Sequence, residues 1–283
     1  MTTPYQQPGA PAYQQPGAPA ASYSSPIPVR RATLGDALAS EWTKIRSVRS
    51  TMWTLGVMIA LLVGIGFLIA LGVSTTDSRL ENDEILILGF FGVLLGSICV
   101  ITLGVLTIAS EYGTGMIRTT LTACPSRSRV LTAKAIVYFL LVFAVTAVTT
   151  TVVAAFQVAM LGDGWPSTGN WFRATIGVSL YLALLGLLSL AVGSLIRHSA
   201  GAITVMIGVV LLPLVLAMFM FSDSLATIRD TLFEYSIPSQ LGVLYDNSVL
   251  ESGPQGWDPL WIMLVIAAVA MGGAYTALNA RDV

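Results

Sequence analysis

Six stretches of this chain run for about 20 residues or more with no Asp, Glu, Lys or Arg away from their ends: 51–73, 85–110, 135–161, 175–196, 202–221 and 260–279. An α-helix rises about 1.5 Å per residue, so roughly 20 apolar residues cross the ~30 Å hydrocarbon core of a bilayer. Hydrocarbon offers the backbone no hydrogen-bond partner, so each run must satisfy its own N–H and C=O groups as a helix. The expected fold is therefore an all-α polytopic membrane protein with six transmembrane helices. Composition points the same way, because only 10% of residues are charged against about 25% in soluble domains. A net charge of −1 gives no basic footprint for a nucleic-acid partner. Cys99 lies inside an apolar run and Cys124 in a connector, and both read as reduced structural thiols. Pro213 predicts a kink in the fifth run. Gly92 and Gly96 form a GxxxG, which is either a helix-pairing face or the ordinary glycine content of membrane helices.

Three parts are expected along the chain: 1–29, 30–50 and 51–283. In the first, "YQQPGAPA" occurs twice in tandem before "ASYSSPIPV". Such Pro/Gln/Gly/Ala composition buries too little apolar surface to offset ordering entropy, so a disordered tail is expected. It lacks the basic start, apolar core and cleavage site of a signal peptide. The second, "RRATLGDALASEWTKIRSVRS", opens with a capping-box pattern, Thr33 and Asp36. Leu34, Leu38, Trp42, Ile45 and Val48 recur at helical spacing. Ser40, Glu41, Lys44, Arg46 and Arg49 fall largely on the other side. This predicts an amphipathic helix in the headgroup layer, with Trp42 at the interface and Lys44, Arg46 and Arg49 toward phosphate. The alternative is a solvated linker before the first span.

The basic residues set orientation. Arg30, Arg31, Lys44, Arg46, Arg49, Arg118, Arg127, Arg129, Lys134, Arg197 and Arg281 fall on one side of the six spans, and only Arg79, Arg173 and Arg229 on the other. Asp77, Glu81, Asp83, Glu84, Asp163, Asp223, Asp230, Glu234, Asp246, Glu251 and Asp258 lie on the poorly basic side. Both termini are therefore expected in the cytoplasm. Among the outer connectors, 162–174 carries Trp165 and Trp171. The long one, 222–259, places Leu225, Ile228, Leu232 and Tyr235 at helical spacing, which predicts one or two short helices before the sixth span.

The second connector, "ASEYGTGMIRTTLTACPSRSRVLTAKA" (109–135), is patterned as well as basic. As a helix it sets Ile117, Leu121 and Cys124 on one apolar stripe and Glu111, Gly115, Arg118 and Thr122 on a charged one. Pro125-Ser126 breaks the pattern, and Ser128 can cap a new helix running through Lys134 into the third span. An exposed apolar stripe on a short helix between two spans asks for a partner surface. The plainer alternative is a positive loop that only sets topology.

"SEWTKIRSVRSTMWTL" (40–55) followed by "SEYGTGMIRTTLTACPSRSRVLTAKA" (110–135) resembles the permease subunits of type-2 ATP-binding-cassette (ABC) exporters. The likeness extends over everything after the tail. It implies an N-terminal elbow helix and a coupling helix from Glu111 to about Ala123 that docks on an ATPase. Glu111, Tyr112, Thr114, Gly115, Ile117, Arg118 and Leu121 would then be docking residues, and Arg197 and His198 a second, smaller cytoplasmic contact. Gly113 departs from the pattern, standing where such proteins often carry a basic residue. The resemblance also implies a route between two permease copies, lined chiefly by the first, second and fifth spans.

A P-loop needs Gly-x-x-x-x-Gly-Lys-Ser/Thr to cradle phosphates, and no Gly-Lys occurs here. The chain is therefore expected to be no enzyme and to hold no cofactor, with ATP bound by a separate ATPase subunit. The expected partners are that ATPase, a second permease copy forming a homo- or heterodimer, and the lipid bilayer; the expected location is the bacterial plasma membrane. Two other classes stay in view. An ion-coupled secondary transporter would want ionisable residues at mid-membrane depth, and the six runs carry none; a non-transporting membrane scaffold would stimulate no ATPase. Uncharged spans suggest an apolar or amphipathic cargo, although Thr146, Thr149, Thr150 and Thr151 offer a hydroxyl-lined face for a polar one.

Overall fold

The computed structural model describes residues 32–76, 81–248 and 252–280. The tail 1–29, together with Arg30, Arg31, Asp77, Arg79, Glu251 and Arg281, lies outside the described residues. The chain enters through α1 (Leu34–Ser47), turns at Val48 in extended conformation, and continues as α2 (Arg49–Ser74). A 3-10 segment, Glu84–Gly89, leads into α3 (Phe90–Gly113), followed by the short α4 (Met116–Ala123) and the long α5 (Arg127–Leu161). Then α6 (Thr168–Phe172) runs through a π turn, Arg173–Gly177, into α7 (Val178–Ile196), and α8 follows (Ser199–Met218). Two short helices, α9 (Ala226–Glu234) and α10 (Ile237–Leu244), precede α11 (Asp258–Ala280). Six helical stretches are long and apolar enough to cross a membrane: Arg49–Ser74, Glu84–Gly113, Arg127–Leu161, Thr168–Ile196, Ser199–Met218 and Asp258–Ala280. The described residues form no strand. This architecture is compatible with a multi-pass membrane protein.

The fourth spanning stretch is the axis of the bundle, with 78% of its apolar window buried, against 22% for the first and fifth and 17% for the sixth. Its helix α7 packs on α3, α5, α8 and α11. Small residues let it do so. A Cβ on Gly186 would sit 2.5 Å from the ring of Tyr138, and one on Gly104 would sit 2.6 Å from the Gly186 carbonyl oxygen. Tyr138 is fully buried in that gap and donates its hydroxyl to the Val100 carbonyl at 2.7 Å. Close packing around small residues is the main source of helix association once lipid has removed the hydrophobic drive. Gly92 and Gly96 are used within the chain: a Cβ on Gly92 would meet the Leu62 carbonyl oxygen at 3.0 Å, and one on Gly96 would collide with the Leu62 side chain. The GxxxG thus seats α3 on α2.

The two short helices before α11 match the expectation for 222–259. Leu225, Ile228 and Tyr235 are exposed, while Glu234 at the end of α9 and Gln240 within α10 are buried. Pro213 lies inside α8, which continues past it to Met218. The hydroxyl face of the third span is turned inward: Thr146, Thr149 and Thr150 are buried and donate to Val142, Val145 and Thr146 carbonyls one turn back. The hydroxyls of these three threonines are thus satisfied by their own helix.

Candidate functional site

The most charged part of the interior lies at the end of the bundle where α1, α4 and the first turns of α5 meet. Its foundation is the start of α1. The Thr33 hydroxyl accepts from the Asp36 amide at 3.3 Å, and Asp36 accepts from the Thr33 amide at 2.8 Å, the capping box read from the sequence. Two turns on, α1 buries Glu41 and Ile45. Glu41 there meets Lys134 of α5 and its own neighbour Lys44, both of which also bond Glu111 of α3.

The four charges alternate. Lys44 Nζ donates to Glu41 Oε1 at 2.7 Å and Glu111 Oε1 at 2.9 Å, and lies 3.3 Å from Thr120 Oγ1 of α4. Lys134 Nζ donates to Glu41 Oε2 at 2.7 Å and Glu111 Oε1 at 2.6 Å, and lies 3.4 Å from the Thr107 carbonyl. Each ammonium thus has a partner for all three protons. Lys134 is 1% exposed, Glu41 5% and Glu111 7%, whereas Lys44 is 27% exposed and forms the open edge. Two acids and two bases sum to zero, which is what makes burial of four charges tolerable. Burial alone would lower the pKa of Lys44; its hydrogen bonds to Glu41 and Glu111, with their negative charges, outweigh that and hold it above the ordinary lysine value. Glu111 Oε2 is buried with no hydrogen-bond partner among the described residues.

This geometry corrects several expectations. Lys44 does not point toward headgroup phosphate; its charge is spent on two internal carboxylates. The packed edge of α1 is mixed: Glu41 and Ile45 are buried and Lys44 is half-buried, while Trp42 and Val48 of the expected apolar side and Ser40, Arg46 and Arg49 of the polar side are exposed. The physical reason is that a buried Lys134 needs carboxylates, and α1 supplies one. Glu111 and Tyr112 belong to the end of α3 and do not share a helix with Arg118. Between them Gly115 takes φ +73°, a left-handed conformation that glycine adopts without steric cost, so the charged ridge 111–115–118–122 is broken at its second member. Thr114, exposed, caps α3 and bonds back to Ser110. On α4, Ile117 is buried and Leu121 half-buried, with Cys124 buried just beyond, so the apolar stripe is turned onto the chain itself. The face left outward carries Met116, Arg118, Thr119 and Thr122. Ser126, not Ser128, takes the cap position of α5, and it makes no side-chain capping bond.

The other basic residues divide between staples and free cations. Arg127 donates to the Leu278 carbonyl at 2.9 Å near the end of α11, and Arg129 to the Ala32 carbonyl before α1. Arg197 adopts φ 58° at the end of α7 and sets its guanidinium 4.9 Å from the centre of the Tyr112 ring. His198 caps α8, its Nδ1 accepting from the Gly201 amide at 3.0 Å. Arg197 and His198 thus fasten α3, α7 and α8 at one corner. Arg46, Arg49 and Arg118 are exposed and make no hydrogen bond or ion pair among the described residues.

A cavity of about 270 Å³ opens beside the charge cluster, lined in part by Ile45, Val48, Thr51, Leu106, Thr114 and Met116. Among the described residues, no group of three or more His, Cys, Asp and Glu side chains could hold a metal ion. The partnership of Glu41 with Lys134 escaped sequence reading, because 93 residues separate them. One signal was available: Lys134 and Lys44 are the chain's only lysines, Lys134 directly before the run 135–161 and Lys44 about two turns before the run 51–73, where a charge needs a partner. The chain matches no family model and no curated protein.

Proposed function

We propose that this chain is the membrane-spanning permease subunit of an ABC export system, forming the translocation pathway and coupling it to ATP hydrolysis by a separate ATPase subunit. The observation that carries the reading is the wiring of α4. This short helix hangs between the ends of two spanning helices, shows Arg118, Thr119 and Thr122 outward, and reaches through Thr120 into the cluster shared by α1, α3 and α5. A force applied to its outer face therefore reaches three other helices through short charge-assisted contacts, which are strong and directional. The motif resemblance in 40–55 and 110–135 supports the same assignment.

In this reading the ATPase binds and hydrolyses ATP, and the chain's residues receive the resulting motion. Arg118 and its threonine neighbours form the docking face, with Gly115 as the turn that presents it. Glu111, Lys134, Glu41 and Lys44 hold that face to the spans. Trp42, Arg46 and Arg49 keep α1 at the membrane surface. Two permease copies would enclose the route, and both termini would face the cytoplasm of a bacterial cell. The absence of charge along the spans favours an apolar or amphipathic cargo.

Charge reversal tests the docking face. Arg118→Glu should reduce capture of a P-loop ATPase co-expressed with the chain by about tenfold or more while leaving insertion unchanged, since a like charge is placed where a complementary one is needed. Unchanged capture with Arg118→Glu and Leu121→Ala combined would remove the assignment.

A further inference from the structure

The bend between α1 and α2 carries a feature that the docking role leaves unused. Trp42 and Arg46 stand one turn apart on α1, and Arg49 and Trp53 one turn apart at the start of α2, with Val48 between. All five are exposed: Trp53 is 75% exposed, and Trp42 and Val48 are 45%. Neither arginine has a hydrogen bond or ion pair among the described residues. The nearest acid in sequence, Glu41, is buried and committed to Lys44 and Lys134, and no Asp or Glu occurs from 42 to 76. The bend therefore presents two exposed arginines without an ion pair among the described residues, each one helical turn from an exposed tryptophan, at the point where α1 gives way to α2.

We propose that this face binds an anionic phospholipid of the bilayer, with the two guanidinium groups on its phosphate-bearing headgroup. The occupant follows from charge complementarity and depth. A zwitterionic headgroup brings its own cation and no net charge, whereas an anionic one brings net negative charge to the two arginines, and guanidinium matches phosphate oxygens in bidentate geometry. Trp42 and Trp53 are the side chains that settle at the boundary of headgroup and acyl chain, and exposed Val48 and Met52 lie against the acyl region. Glu41, the nearest acid in sequence, is held by Lys44 and Lys134 and so does not quench the arginines. The inference rests on the proposal that α1 lies at the membrane surface, and it names the lipid class held there.

Native mass spectrometry of the purified full chain, titrated with phosphatidylglycerol and phosphatidylcholine of matched acyl chains, tests this. Each basic residue at an anionic surface contributes roughly fivefold, so the wild-type chain should retain phosphatidylglycerol at about thirtyfold lower concentration. Arg46→Gln with Arg49→Gln should abolish the preference, and Arg46→Lys with Arg49→Lys should keep most of it; circular dichroism of each variant checks that helix content is unchanged. Equal retention of the two lipids by the wild-type chain, or an undiminished preference in the double glutamine variant, overturns the proposal. Capture of a P-loop ATPase by the wild-type chain is read separately. Lipid indifference with ATPase capture defeats the lipid site alone, and lipid preference without capture defeats the permease reading alone.

Discussion

The two ends of the bundle solve the same problem with opposite means. At the basic end, four charges from three helices meet, three of them buried and Lys44 half-buried at the edge, and Lys134 is almost inaccessible at 1% exposure. At the acidic end, Arg173 meets Asp246 at 2.8 Å with the carboxylate side chain 51% exposed, and Asn170 completes the group by donating to Asp246 at 3.0 Å. Both ends tie distant segments. The buried cluster joins α1 to residues 67 and 93 positions away, and the exposed pair joins the entry of the fourth span to the turn after α10 across 73 residues. The difference lies in what happens when one partner is lost. A buried charge without its partner has no water to turn to, whereas an exposed one is resolvated at little cost.

The largest effect should therefore follow removal of the most buried cation. Lys134→Ala leaves Glu41 Oε2 without its partner and Glu111 with one lysine, and should destabilise the protein by about 3–5 kcal/mol, read as unfolding in detergent followed by circular dichroism. A loss below about 1 kcal/mol would mean the cluster is hydrated, and the contrast between the ends would vanish. Glu111→Gln is milder, because it keeps an acceptor while Glu41 still serves both lysines; a cost of roughly 1–3 kcal/mol is expected. At the acidic end Asp246→Ala should cost only about 0.2–1 kcal/mol, and a cost comparable to Lys134→Ala would show that exposure does not decide the matter. The smallest signal is in pH. Lys44 is held above its ordinary value, so its stabilising share is complete below the free-lysine range near ~10.4 and fades as pH climbs past it. Thermal stability should consequently show no Lys44-dependent change between about pH 7 and 10, and Lys44→Met should flatten the alkaline fall.

Much of this architecture was legible in the residues. Six uninterrupted apolar runs define six helices, because hydrocarbon allows no other backbone solution for a single pass. Thr33 and Asp36 mark the start of α1, and the spacing of Leu225, Ile228, Leu232 and Tyr235 brackets α9, while α10 lies beyond it. The side of α1 that packs was not legible. Periodicity sorts residues into two faces but does not say which edge meets protein, and here Glu41 and Ile45, one from each set, are buried together, with Lys134 bonded to Glu41. The break at Gly115 was hidden for a similar reason: glycine tolerates a helix, and only its φ of +73° separates Glu111 from Arg118. Gly92 and Gly96 announced close packing without naming the partner, which proved to be Leu62 of the same chain.

A lever role for α4 requires a partner protein on its outward face. A photoreactive amino acid placed at Thr119, on the outward face of α4, measures this most directly, with the same probe at Ile228 as the opposite-end control. Irradiation of cells carrying the intact assembly should yield, from position 119 alone, a covalent adduct whose mass-spectrometric identity is a P-loop ATPase. If position 119 yields no such adduct, or is reached in intact cells by a membrane-impermeant reagent, α4 faces the wrong compartment or the wrong partner and the coupling role is excluded.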